Sequence, residues 1–134
     1  MSDSELTEPQ LITLTVPGER EYIGVVRLFV GGLAARTSLA YETMDDVQLA
    51  IESVLRNASL GPEVTLEARI DGDAVSVLVG PLADDPLAPS ESEPDLPELE
   101  RLLPALVAGA ESTARDDGCW LRLDVRIPAG SGSA

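Results

Sequence analysis

Most side chains that carry out enzymatic chemistry are missing from this sequence. Its 134 residues hold 24 carboxylates, nine arginines, a single cysteine and no histidine, and lysine is absent. Without imidazole there is no histidine acid–base pair, no Ser-His-Asp triad and no His-ligated metal centre. One thiol, Cys119, can form neither an internal disulfide nor a structural zinc site. The lack of lysine removes Schiff-base chemistry, the P-loop and any ammonium contact to phosphate. Any reaction would fall to carboxylates, hydroxyls, guanidinium groups and the backbone. Cys119 lies in the apolar run CWLRLDV, where it reads as a small buried hydrophobe.

Charge narrows the partners. A formal net charge of -15 repels phosphate backbones, so nucleic acid is not expected as a partner. That charge keeps a small protein soluble and also suits a basic partner surface. Apolar stretches are broken every few residues by charge or proline, so no membrane span is expected. The opening MSDSELTEPQ lacks the basic-then-apolar order of a signal peptide, which gives a cytoplasmic expectation.

The length suits one domain, and with 44% apolar but only 3% aromatic residues the core must be aliphatic. Residues 1–9 read as a disordered arm, 10–127 as the folded domain and 128–134 as a disordered tail. QLITLTV alternates, with Ile12, Leu14 and Val16 on one face, and predicts a strand closed by Pro17-Gly18. Tyr22, Val25, Val26, Phe29, Val30 and Leu33 then recur at helical spacing. Gly31 and Gly32 weaken that helix, and close backbone packing is expected there. A second helix is predicted from Tyr41 to Ala58, with Met44, Val47, Ala50, Ile51, Val54, Leu55 and Ala58 as its stripe. EVTLEARI and AVSVLVG form a hairpin around Asp71-Gly72. From Gly80 to Pro97 five prolines and five acidic residues predict a long irregular connection, and residues 82–95 should be mobile and exposed. A third helix, about Leu96 to Val107, carries Leu99, Leu102, Leu103 and Leu106, with Pro104 expected to kink or end it. ESTAR and WLRLDVRI form a last hairpin around Asp117-Gly118. The fold class that follows is α/β (α+β): a two-layer sandwich, its sheet mixed but mainly antiparallel, with three helices on one face.

Residues 12–58, ITLTVPGEREYIGVVRLFVGGLAARTSLAYETMDDVQLAIESVLRNAS, resemble the strand and first two helices of the anti-sigma serine-kinase branch of the histidine-kinase-like ATPases. The order of elements extends that resemblance over about residues 10–127. In such proteins a Glu on the second helix acts as base, and an Asn four residues later helps to hold magnesium. In QLAIESVLRNA the Asn persists as Asn57, and Ser53 occupies the base position. At about 100° per residue, positions 53 and 57 lie about 40° apart around the helix. Glu52 lies about 140° from Asn57 and points elsewhere.

The family's second motif is an Asp and a Gly-x-Gly turn that read and admit adenine. Here Gly80-Pro81-Leu82-Ala83-Asp84-Asp85 keeps one glycine, Gly80, and lacks the Asp; Asp84 and Asp85 come late and read as solvated loop charges. The third motif is a glycine-rich phosphate lid. DPLAPSESEPDLPELERLL contains no glycine and is acidic where phosphates would lie.

The resemblance therefore implies an anti-sigma-like regulatory protein that works by protein–protein binding, with a degenerate ATP site. No catalytic residue is expected, since Ser53 stands where the base would be. Asn57 and Gly80 are the remaining nucleotide-binding candidates, and Asn57 the magnesium candidate through ATP. No cofactor is expected; ATP with magnesium is the one a functional site would take. The implied partners are a sigma factor or an anti-sigma antagonist protein, with a homodimer also implied. Two alternatives stay open: an active ATP-dependent serine/threonine kinase that phosphorylates an antagonist, and a drifted structural or interaction domain unrelated to transcription. On enzyme activity the sequence leans towards none.

Overall fold

A computed structural model describes residues 9–58, 60–72, 74–87 and 98–125. Five strands form one sheet: β1 (Gln10–Pro17), β2 (Leu60–Asp71), β3 (Ala74–Leu82), β4 (Gly109–Arg115) and β5 (Gly118–Asp124). Their spatial order is β1-β2-β3-β5-β4, and each neighbouring pair is antiparallel. The sheet expected to be mixed thus has no parallel pair among the described strands. Three helices accompany it: α1 (Val26–Ala35), entered through a 3-10 turn over Arg20–Val25, then α2 (Tyr41–Asn57) and α3 (Glu98–Leu106).

Alternation decides which face is covered. The register sets Leu14 opposite Leu66, Leu66 opposite Val79 and Val79 opposite Leu121, so one row of aliphatic side chains crosses four strands. The buried stripes of the helices (Phe29 and Leu33 of α1, Val47, Ile51 and Val54 of α2, Leu103 and Leu106 of α3) close over it in a single cluster. Because side chains alternate, Thr13, Glu67, Ser76 and Arg122 fall on the opposite face. All three helices lie on one side, and the two-layer α+β sandwich stands. Burying each of these aliphatic side chains contributes about 1.5–3 kcal/mol, which lets a core almost without aromatics hold the layers together.

Three local expectations need correction. The first helix does not begin as an α-helix. Over Arg20–Val25 the chain turns three residues at a time, so Ile23 and Val26 share the buried side while Tyr22 is exposed. At Gly31 and Gly32 no close packing occurs, since a Cβ built on either meets no neighbouring atom within 4 Å. Nor does the irregular connection begin at Gly80. Strand β3 continues through Pro81 to Leu82, which is 1% exposed. Pairing shifts register there on both flanks, between Leu60 and Thr65 of β2 and between Val79 and Leu82 of β3 against β5, so proline's missing N–H interrupts no regular ladder. Helix α3 runs past Pro104 to Leu106, close to the expected end at Val107.

The arm expected over 1–9, Pro9 apart, and the tail over 128–134 lie outside the described residues. So does the part of the 82–95 segment beyond residue 87, as does the Leu99 side chain. Among the described residues no helix is long and apolar enough to cross a membrane.

Candidate functional site

The nucleotide candidates sit on α2 and at the end of β3. Helix α2 opens with Glu42 in its first turn and closes with Arg56 in its last, both favourable to the helix dipole. Its last two turns carry Ser53 and Asn57, which the helical period sets near one another as anticipated. Their environments differ. Ser53 is buried at 7% exposure, among the side chains α2 turns towards the core. Asn57 donates its Nδ2 to the Ser53 carbonyl at 2.7 Å. That carbonyl lies one turn back on the same helix, so the amide folds back against α2. Glu52 points away from this pair, as expected. It accepts from Gln48 Nε2 at 3.0 Å and from an Arg56 guanidinium nitrogen at 3.4 Å.

Gly80 is buried on the outer side of the sheet. A Cβ built on it would lie 2.5 Å from Trp120 Cδ2. The indole occupies the space that a glycine would leave beside a ligand, so the contact that requires glycine here is with Trp120. Trp120 is held at its N–H edge and over one ring face. Its Nε1–H donates to Asp117 Oδ1 at 2.9 Å, and the Arg115 guanidinium stacks 4.7 Å from the ring centre. Gly118, at φ 140°, makes the return into β5 that brings the indole to Gly80.

The two late aspartates part company. Asp84 is exposed, but Asp85 is not simply solvated. Its Oδ1 accepts from the Leu87 backbone N–H at 2.9 Å and from the Ser112 hydroxyl. This ties the start of the long connection to β4, and Leu87 packs partly against the core. Cys119 lies beside this junction. Burial, and then the Asp85 charge, push its thiol pKa up, so it stays protonated and poorly nucleophilic at neutral pH. Sequence reasoning missed the Asp85–Ser112 link because the two residues stand 27 apart.

Between α3 and β4 lies an open cavity of about 270 Å³, walled by Leu87, Leu103, Pro104, Val107, Gly109 and Ala110. Its lining side chains are all apolar and offer no charged partner to a phosphate. A second cavity, of about 370 Å³, opens between the 3-10 turn and α2. Neither is lined by Ser53, Asn57 or Gly80. No group of three or more metal-ligating side chains occurs among the described residues. The structure thus joins Ser53 to Asn57, and sets Gly80 on the other face of the sheet from the helices.

No protein-family model matches the chain. Part of it is similar to curated proteins named serine-protein kinase RsbW. The Halalkalibacterium halodurans protein is 38% identical over 50 residues, which is 37% of this chain and 31% of that protein. The Listeria innocua protein is 31% identical over 75 residues, 51% of this chain and 48% of its own length. The Bacillus subtilis protein is 28% identical over 80 residues, covering 54% and 50%. The chain thus spans from about a third to about half the length of these relatives.

Proposed function

We propose that this chain is an anti-sigma-like regulatory protein that acts by binding another protein, and that its ATP site has lost the groups needed for phosphate transfer. The observation that carries the reading is on α2. A two-layer fold of the expected kind, in a chain partly similar to RsbW proteins, holds a buried serine where the catalytic base would stand. The asparagine that would hold magnesium turns its Nδ2 back to the carbonyl of that same serine. Gly80 faces Trp120. What the chain retains is a scaffold with helical and sheet surfaces for docking; what it lacks, among the described residues, is a way to read adenine and hold its phosphates beside Ser53 and Asn57.

On this reading the partner is a sigma factor or an anti-sigma antagonist protein, the chain can pair with a second copy, and no cofactor takes part. ATP with magnesium is the cofactor that a functional site would take, through the Asn57 Oδ1. The acidic surface suits a basic patch on the partner and repels nucleic acid. The test is co-elution of the purified chain with each sigma factor and each antagonist-type protein of its own genome, with nucleotide omitted. A stable complex with one of them is expected. Failure to bind any of them, or complexes that form only with ATP present, would contradict the proposal.

A further inference from the structure

The cavity between the 3-10 turn and α2 is lined by Arg20, Ile23, Gly24, Arg27, Glu52 and Arg56. Three of the nine positive side chains of a strongly acidic protein therefore meet in one depression. Among the described residues, only Arg56 and Arg122 form ion pairs with carboxylates. Arg122 does so twice, with Glu111 at 3.4 Å and Asp124 at 3.2 Å. Arg56 reaches Glu52 at 3.4 Å. Arg20 and Arg27 have no ion pair among the described residues.

The one carboxylate in the cavity is already engaged. Glu52, its side chain 15% exposed, is held by both Gln48 and Arg56, which fixes the Arg56 guanidinium at the rim. With one negative and three positive groups, the cavity carries a local charge of about +2 inside a molecule of net charge -15. Gly24 adds open space. A Cβ built there meets nothing within 4 Å, so the wall between Arg20 and Arg27 is left clear.

We propose that this cavity is a binding site for a small, multiply charged oxyanion of the phosphate class, held by Arg20 and Arg27 with Arg56 at the rim. Planar guanidinium forks match the geometry of phosphate oxygens, and several of them are needed to hold a dianion against a repelling overall charge. The site is separate from the Ser53–Asn57 pair and does not depend on the proposed function. The same chemistry could arrive as inorganic phosphate, as pyrophosphate or as a phosphomonoester.

The experiment is a calorimetric titration of the full chain, without magnesium, using inorganic phosphate, pyrophosphate and O-phosphoserine in separate arms. Ionic strength is held near physiological, where screening shortens the reach of the overall negative charge to about 8 Å. Saturable binding with a dissociation constant of about 1 mM or tighter is expected in at least one arm, and the tightest arm identifies the form. Arg20→Gln and Arg27→Gln should each weaken it about tenfold, whereas Arg69→Gln, exposed on β2, should leave it unchanged. Gly24→Leu should weaken binding by filling the cavity while leaving every charge in place. Absence of saturation in all arms would overturn the proposal. So would equal losses from Arg69→Gln and the cavity variants, or a Gly24→Leu variant that binds like the wild type.

Discussion

Ser53→Glu would supply the base that the proposed reading finds absent, and the structure indicates what it would do instead. Ser53 is 7% exposed on the core-facing side of α2. A carboxylate placed there loses hydration without gaining a cation, because the nearby Arg56 belongs to Glu52 on another side of the helix. Such burial raises a carboxyl pKa by about two to three units from an ordinary value of about 4.3. The folded pKa then exceeds the unfolded one, so the charge penalty is absent below about pH 4. It grows as pH rises through the unfolded pKa, and levels off above the folded pKa of about 7. At about 1.36 kcal/mol per unit this gives about 1.6 kcal/mol at pH 5.5 and about 3–4 kcal/mol at pH 8. Ser53→Gln carries nearly the same bulk with no charge and serves as the reference. Urea denaturation of both variants at the two pH values should show the Glu variant less stable than the Gln variant, with the gap widening by about 2 kcal/mol towards pH 8. Equal stability of the two variants at both pH values would mean that position 53 opens to solvent, and would refute the account of a sealed base position.

Two further outcomes follow from the glycines. Gly80→Ala drives a methyl into the Trp120 indole and should destabilise by about 1–3 kcal/mol. Trp120 is the sole tryptophan, so its emission should shift to longer wavelength; an unchanged spectrum and midpoint would show that the indole does not rest on Gly80. Gly31→Ala and Gly32→Ala should each stabilise the isolated chain by about 0.5–1 kcal/mol, since both lie in α1 with open space at Cβ. A loss of stability in thermal melts would reveal a neighbour that the fold does not show.

The parts of the fold legible in the sequence are those where one periodicity acts alone. Ile12, Leu14 and Val16 alternate because one sheet face is covered, and the α2 stripe keeps its period over seventeen residues. Reading failed where two geometries adjoin or where a local signal yields to its surroundings. The stripe from Tyr22 to Leu33 looks like one helix, but a 3-10 turn advances three residues per turn and buries Ile23 in place of Tyr22. Pro81 looks like the start of a loop, yet a strand tolerates it where the ladder already shifts register. At the candidate site, the closeness of Ser53 and Asn57 was readable from spacing, because a helix fixes it. What the two side chains meet was not. Burial of Ser53 depends on the sheet packed beneath it, and the ring beside Gly80 comes from a residue 40 positions later. Arg20, Arg27 and Arg56 gave no sequence signal beyond their scarcity, since only packing of the 3-10 turn and the start of α1 on α2 brings them together.

The central claim, that this chain regulates by docking and not by phosphate transfer, is tested most directly by calorimetric titration with magnesium-ATP. The titration is run on the wild type and on the Arg20→Gln/Arg27→Gln double variant, so that heat from the arginine cavity is identified by its loss in the variant. Two or three missing charged hydrogen bonds, at about 1.5–3 kcal/mol each, would move a micromolar site to the millimolar range or weaker. The account predicts no dissociation constant below about 1 mM in the double variant. A value below about 100 µM there, or about 5.5 kcal/mol of binding, would contradict it and show that the α2 site still holds nucleotide.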